Sequence, residues 1–377
     1  MKLAVRPDAI VIGAGIVGAA CARALARDGL QVLVLDAAFA GGGTTAAAMG
    51  HLVVMDDSPE QLALTALSCA LWRDLATTLS ASAELDTCGT IWVGENSAQM
   101  DAVLDKQRIY REHGIASEIV SAKRLAELEP NLRAGLAGGL LVPGDAVVYP
   151  PRAALSLLED AFANGATLRE SCRVDEILDR AVRCGTDVVE ANVIVNAAGA
   201  EAARLTPALP IVPRKGHLAI TDRYPGFCRH QLVELGYLTS ASEMTSESVA
   251  FNMQPRATSQ LLIGSSRELV GWDSSTNRRV LREMLNRARH FMPALADLSI
   301  VRTWTGFRPA TPDKLPLIGP WTSTAGLWIA AGHEGLGITS SLGTARLLAD
   351  LIAGRTPPID ATPYSPKRLA NQSTVSS

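Results

Sequence analysis

The chain has 377 residues, of which 47% are hydrophobic and 19% are charged, and its formal net charge is −3. This length accommodates two or three domains with a sizeable core, and the nearly balanced charge gives no reason to expect nucleic acid or an anionic membrane as a partner. No apolar run reaches transmembrane length, and residues 1–7 are too short for a cleavable signal, so we expect a cytoplasmic protein. The cysteines lack the spacing of a metal site or a disulfide framework, which predicts no metal and reduced thiols at Cys21, Cys69, Cys88, Cys172, Cys184 and Cys228.

The first organised stretch is a strand–helix–strand unit at residues 8–36. A short apolar run, Ala9–Ile12, predicts a buried parallel strand. The alanine-rich residues 19–27 predict a helix that ends at Gly29, and residues 31–35 predict a second apolar strand that ends at Asp36.

Three glycines, Gly13, Gly15 and Gly18, follow the first strand in G-x-G-x-x-G order. The first permits a tight turn, the second lets a pyrophosphate approach the backbone, and the third lets helix and strand come close. The helix N-terminus adds N–H groups and positive potential for phosphates, and Asp36 stands where a carboxylate accepts both ribose hydroxyls. The unit predicts an adenine dinucleotide site, and a glycine turn in another α/β fold is the alternative.

An α/β pattern continues as far as residue 199. A loop of small residues at 41–51 is suited to lie against a flat ligand. Helices are predicted at residues 60–79, 97–113, 121–128 and 152–164, and strands at 89–93, 167–175, 181–184, 187–190 and 193–196.

From residue 210 the pattern changes to short strands separated by polar turns, which is typical of a mainly antiparallel sheet. Strands are predicted at residues 218–221, 237–239, 249–253 and 261–264, then a helix at 276–291, strands at 300–307 and 327–331, and a helix at 339–353. Residues 361–377 are polar and poor in apolar side chains, so we expect a partly mobile tail.

Five motifs occur in a recognisable order along the chain. They are the N-terminal glycine unit, the Thr44-Thr45 loop, VIVNAAG at residues 193–199, GFRP at 306–309 and GHEGLGI at 332–338. In this order they resemble the D-amino-acid oxidase family of FAD enzymes, and the resemblance covers almost the whole chain. MGHLVV at 49–54, RKGH at 214–217 and GHEGLG at 332–337 are most similar to the branch that holds the D-hydroxyproline dehydrogenase β subunit, the opine oxidase B subunit and hydrogen cyanide synthase.

The resemblance implies an α/β fold with a Rossmann-like FAD-binding domain and a substrate domain built on a mainly antiparallel sheet. The FAD-binding domain is expected at residues 1–84, 141–214 and 301–360, the substrate domain at 85–140 and 215–300, and a C-terminal tail at 361–377. The single G-x-G-x-x-G favours one dinucleotide that stays bound. No cysteine resembles a flavin attachment site, so FAD is expected to be non-covalent.

The glycine unit and the resemblance together predict which residues contact FAD. The resemblance places the loop at 332–338 near the pyrimidine end of the flavin, where N–H groups stabilise the reduced form. Gly335 stands where oxidases related to glycine oxidase carry an arginine, which argues against transferring their substrate contacts. The predicted FAD contacts are Gly13, Gly15, Ile16, Val17, Gly18, Asp36, Thr44, Thr45, Gly50, His51, Val174, Ala198, Gly199, Gly335, Leu336, Gly337 and Ile338.

Arg308 and His51 are the predicted catalytic residues. Prolines and a glycine fix the backbone around Arg308, and its planar fork matches a carboxylate. The resemblance assigns it the substrate carboxylate; an ion pair with Asp313 or a carbonyl contact is the alternative. His51 either assists removal of the amine proton or is a packing or flavin-edge side chain. Lys215 and His217 are expected to be structural.

The leading functional interpretation is FAD-dependent oxidation of a D-configured or secondary amino acid to its imine by hydride transfer to flavin N5, with D-hydroxyproline the first candidate. One alternative is an oxidase of glycine, sarcosine or opines that passes electrons to oxygen. Another is a non-catalytic flavin subunit that relays electrons. The resemblance also leaves open a hetero-oligomer with other dehydrogenase subunits.

Overall fold

A computed structural model of the protein describes residues 6–236 and 247–370. The strand predicted at residues 237–239 lies outside these ranges. Within them, every helix is too short or too polar to span a bilayer.

The strands and helices are numbered in chain order. The strands are β1 (Ala9–Ile12), β2 (Val32–Leu35), β3 (His51–Leu52), β4 (Thr90–Gly94), β5 (Glu118–Ser121), β6 (Gly138–Val142), β7 (Ala146–Val147), β8 (Thr167–Arg169), β9 (Glu176–Leu178), β10 (Ala181–Cys184), β11 (Asp187–Glu190), β12 (Val193–Asn196), β13 (Val212–Arg223), β14 (Gln231–Glu234), β15 (Glu247–Pro255), β16 (Gln260–Glu268), β17 (Ile300–Ala310), β18 (Leu317–Pro320) and β19 (Leu327–Ala331). The helices are α1 (Ile16–Arg27), α2 (Gly43–Ala46), α3 (Pro59–Leu75), α4 (Ser97–Glu112), α5 (Ala122–Leu128), α6 (Pro150–Ala163), α7 (Ala202–Leu205), α8 (Arg278–Phe291), α9 (Gly337–Ile352) and α10 (Lys367–Ala370).

The first sheet has the order β18-β19-β12-β1-β2-β8 among the described strands. Its pairs are parallel except β18 with β19. The apolar runs of β1 and β2 are fully buried, and α1 packs against α6 and α9 on one face of the sheet. The carboxyl ends of β1, β2 and β12 meet at one edge, which is the usual ligand position in an open parallel sheet.

The second sheet has the order β17-β13-β16-β15-β14-β4-β6-β5 among the described strands. Its pairs are antiparallel except β14 with β4, and α8 covers β15 and β16. The two sheets confirm the predicted α/β class with a mainly antiparallel second layer. The residue boundaries proposed for the two domains remain a prediction.

The structure differs from the predicted elements mainly in the second sheet. β13 is much longer than the predicted strand at 218–221, because it pairs with β17 along one edge and with β16 along the other. The strands β5, β6, β14 and β18 were not predicted. They are four or five residues long and contain too few alternations of apolar and polar residues to be recognised before their partner strands are known.

The partly mobile tail at residues 361–377 stays a prediction, although residues 361–369 contact the rest of the protein. Tyr364 is buried, and its hydroxyl donates to the Glu60 carbonyl oxygen over 2.6 Å. Arg368 forms two hydrogen bonds to the carboxylate of Asp313, at 2.6 and 3.0 Å. One aromatic anchor and one bidentate ion pair hold this polar segment against the first sheet, although its composition is low in apolar residues.

Candidate active site

Two glycines of the G-x-G-x-x-G unit are required by close backbone approach. Gly13 has φ +104°, and a Cβ there would lie 2.6 Å from the carbonyl oxygen of Ala197. A Cβ on Gly18 would lie 1.9 Å from the carbonyl oxygen of Gly13. The first contact closes the β1 turn against the turn after β12, and the second brings α1 onto the strand.

The N-terminus of α1 lies at the wall of a neighbouring cavity. Gly15 is its N-cap and provides no side-chain hydrogen bond. The Ile16 N–H donates to Thr45 Oγ1 over 3.0 Å, and a Cβ on Gly15 would lie 3.0 Å from the same oxygen. Thr44 Oγ1 in turn donates to the carbonyl oxygen of Phe307 over 2.7 Å. The small-residue loop thus links the start of α1 to β17.

Asp36 is fixed at the end of β2 by two backbone N–H groups. Its Oδ2 accepts from Ala14 at 2.7 Å, and its Oδ1 accepts from Ala38 at 2.8 Å. The adjacent turn after β12 is fixed by the buried amide of Asn196, which donates to the Ala202 carbonyl oxygen over 3.0 Å. Both arrangements present polar groups at the carboxyl edge of the first sheet.

A cavity of about 370 Å³ runs along this edge and reaches the second sheet. Most of the sequence-predicted site residues line it; they are Gly13, Gly15, Ile16, Val17, Asp36, Thr44, Thr45, Gly50, His51, Val174, Ala198, Gly199, Arg308, Gly335, Gly337 and Ile338. Two predicted contacts, Gly18 and Leu336, are not among the lining residues. Gly18 faces the Gly13 carbonyl, and Leu336 packs against a hydrophobic cluster that includes Val53 and Val54.

Arg308 reaches the cavity from β17, beside β13. Its Nη1 donates to the carbonyl oxygen of Ser266 over 2.9 Å. A Cβ on Gly216 would lie 2.4 Å from that Nη1, and a Cβ on Gly335 would lie 3.6 Å from its Nε. Gly216 therefore makes the space that the guanidinium occupies, and Gly335 lies in ordinary contact with it. The carbonyl contact weighed in the sequence analysis is present, whereas Asp313 binds Arg368.

His51 is held by two amide side chains. Gln231 Nε2 donates to Thr90 Oγ1 at 3.2 Å and to the Ala146 carbonyl oxygen at 3.0 Å, so its Oε1 faces His51 Nδ1 as an acceptor. His51 Nε2 lies 3.1 Å from Asn252 Nδ2. Burial lowers the pKa of His51 below its ordinary value. Both ring nitrogens of the neutral imidazole are engaged, which favours the packing or flavin-edge role over proton removal.

Lys215 and His217 do not line the cavity. Lys215 Nζ donates to the Ser275 carbonyl oxygen over 3.1 Å. His217 Nδ1 lies 2.9 Å from Ser266 Oγ, and its Nε2 accepts from the Asn277 N–H over 3.0 Å. Both side chains link β13 to its neighbours, in agreement with the structural role expected for them.

Several lining residues were not identified from the sequence. Gly216, Asn252 and Ser265 come from β13, β15 and β16, and Arg204 comes from α7. Asn252 interrupts an otherwise apolar run in β15, which is a weak signal that a polar side chain has a specific partner. Gly216 belongs to the RKGH motif at 214–217 but was not recognised as a site residue, and Ser265 and Arg204 carry no signal in the sequence.

A comparison with known protein families identifies the family of this chain. The DAO family, described as FAD dependent oxidoreductase, matches residues 8–351. The chain belongs to this family. The resemblance noted in the sequence is thereby confirmed, and the protein is an FAD-dependent oxidoreductase.

Known DAO-family relatives cover nearly the whole chain. Glycine oxidase of Pseudomonas aeruginosa is 30% identical over 95% of this chain and 98% of its own length. Hydrogen cyanide synthase subunit HcnC of the same species is 28% identical over 96% of both chains. The crystal structure of glycine oxidase from Geobacillus kaustophilus has a TM-score of 0.86 at 27% identity, over 96% of this chain and 98% of that one.

The cavity of this DAO-family chain fits FAD. The two close-packed glycines shape a turn that brings the start of α1 to the cavity wall, where N–H groups and positive potential favour a pyrophosphate. Asp36 is fixed as an acceptor for ribose hydroxyls. At the other end, Gly337 and Ile338 open the long helix α9 and line the cavity. These residues would hold FAD between the two sheets.

Proposed function

We propose that the protein oxidises a D-configured or secondary amino acid to its imine, with D-hydroxyproline as the first candidate. The observation that carries the proposal is Arg308. A guanidinium inside a cavity that also contains the FAD-binding residues offers a planar fork for a substrate carboxylate. Gly216 leaves the space for it, and the Ser266 carbonyl oxygen orients it.

Each part of the cavity has a role in this reaction. Arg308 binds the carboxylate and so orients the carbon that carries nitrogen. When bound, FAD supplies the hydride acceptor, its N5 atom. The N-terminus of α9, at Gly337 and Ile338, favours negative charge nearby.

One relative supports an alternative to this proposal, and another supports a detail of it. The 30% identity to glycine oxidase supports the alternative of an oxygen-using oxidase of glycine, sarcosine or opines. HcnC is a subunit by its name, which supports assembly of this chain with other subunits. The electron-relay alternative receives less support, because a relay has no use for an arginine in the flavin cavity.

The test is anaerobic reduction of the bound flavin by single amino acids. The purified holoprotein is mixed with D-hydroxyproline, D-proline, L-proline, sarcosine and glycine, and loss of the flavin absorbance is followed. We expect the D-configured cyclic amino acids to reduce the flavin fastest. Fastest reduction by glycine or sarcosine would favour the oxidase alternative. Reduction by dithionite but by no amino acid would refute the proposal.

A further inference from the structure

Asn252 combines three properties that point to a ligand contact. It lies on β15, only 6% of it is exposed, and it lines the cavity that also contains Arg308. Its Oδ1 is buried and has no hydrogen-bond partner among the described residues. A buried amide oxygen without a partner is destabilising, so such an oxygen beside a ligand cavity points to a ligand donor.

The orientation of this amide is determined by a chain of hydrogen bonds. Gln231 donates with its nitrogen to Thr90 and Ala146, so its oxygen must accept from His51 Nδ1. His51 Nε2 then carries no proton and accepts from Asn252 Nδ2, 3.1 Å away. The Asn252 amide nitrogen is thereby committed to His51, and Oδ1 is the atom left for a ligand.

The lowered pKa of His51 keeps this arrangement in place at neutral pH. In a protonated imidazole, His51 Nε2 would become a donor, and the Asn252 amide would rotate to present Oδ1 to it. Burial disfavours that charged form. The ionisable and polar groups that face the imidazole are the two amides, Gln231 from β14 and Asn252 from β15, with no carboxylate bonded to it among the described residues.

We propose that Asn252 Oδ1 accepts a hydrogen bond from the amine N–H of the substrate, while Arg308 binds the carboxylate at the other end. This inference rests on the proposed function and specifies how the amine of its substrate is recognised. A neutral secondary amine has one N–H and one lone pair. Donating that N–H to Asn252 leaves the lone pair free for the carbon–nitrogen double bond of the imine. A tertiary amine or an ether oxygen has nothing to donate and leaves Oδ1 without a partner.

Ser265 is the alternative polar group at this position. It lines the same cavity, and its Oγ is also buried without a partner. A hydroxyl rotates and either donates or accepts, so it would tolerate an amine and an ether alike. Only the fixed amide oxygen of Asn252 discriminates between them.

The experiment compares two non-oxidisable ligands, pyrrole-2-carboxylate and furan-2-carboxylate, which differ by an N–H in place of a ring oxygen. Binding to the FAD-loaded protein is measured from the change in flavin absorbance. Wild type is expected to bind the pyrrole more tightly. In Asn252→Leu, which has a similar volume but no acceptor, the preference should fall by about tenfold to a hundredfold. Where Asn252→Leu fails to load FAD, Asn252→Ala replaces it.

The controls separate this inference from the proposed function. Ser265→Ala should retain the pyrrole preference, whereas Arg308→Ala should weaken both ligands equally. An unchanged preference in Asn252→Leu, or its loss in Ser265→Ala, would overturn the role of Asn252 and leave the proposed function standing. If wild type bound neither ligand, the proposed carboxylate site would be refuted, and both proposals with it.

Discussion

Arg308 provides the sharpest test of the proposed active site. Its guanidinium is already oriented by the Ser266 carbonyl oxygen at 2.9 Å. A charge-assisted hydrogen bond contributes about 1.5–3 kcal/mol, so Arg308→Ala should weaken substrate binding by about tenfold to about 150-fold. Hydride transfer should slow as well, because the carboxylate contact orients the reacting carbon. Arg308→Lys should recover little, since a point charge lacks the planar fork.

Gly216→Ala tests the position of the Arg308 guanidinium without removing its charge. The new Cβ would lie 2.4 Å from Arg308 Nη1, so the guanidinium must move away from its position. Gly216 does not have a positive φ, and the backbone accepts alanine without strain. We expect a loss of binding smaller than in Arg308→Ala, with FAD content unchanged. A loss of FAD would show instead that the substitution disturbs the fold.

The assay is anaerobic stopped-flow reduction of the flavin by D-hydroxyproline, D-proline and sarcosine. Rates and half-saturating concentrations are compared for wild type, Arg308→Ala, Arg308→Lys and Gly216→Ala, after FAD content has been equalised. Unchanged rates and half-saturation in Arg308→Ala would refute the reasoning and show that the carboxylate is bound elsewhere.

Three other predictions concern the cofactor, pH and the electron acceptor. Gly15→Val should yield largely apo protein, because the added side chain presses on Thr45 Oγ1, 3.0 Å from the Cβ, and on the phosphate position; full flavin content by absorbance would contradict it. Burial lowers the pKa of His333 from 6.5 to about 3, so the unfolded chain binds a proton that the folded chain does not, and stability falls as pH drops from 6.5 toward 3. His333→Gln should reduce this loss of stability, measured as the difference between the urea midpoints at pH 7.5 and pH 5. An equal difference in wild type and variant would count against the prediction. Electrons should leave mainly to an acceptor other than oxygen, so peroxide formation should be much slower than dye reduction, and equal turnover with both would overturn this.

Some site residues were predictable because their interactions are local. The glycine unit lies between one strand and one helix; Gly18 is required by backbone geometry within that unit, and Gly13 by the turn after β12. Asp36 follows from the end of the next strand. A short motif therefore contains most of the information about this half of the cavity.

Residues on the second sheet were harder to predict. Asn252, Ser265 and Gly216 lie on three different strands whose register includes bulges. A polar side chain in an apolar run indicates that a partner exists, but its position along the strand does not identify the partner. Arg308 was recognised only because GFRP is a family motif.

The sequence by itself determined the α/β class, the dinucleotide unit and the family, because these depend on short motifs and on their order along the chain. Only the tertiary structure decided which long-range neighbours complete the site. Thr45 meets the start of α1, Gly216 makes room for Arg308, and Gln231 orients His51 toward Asn252. These contacts join residues from separate elements, and a side-chain hydrogen bond has no period along the chain from which it can be inferred.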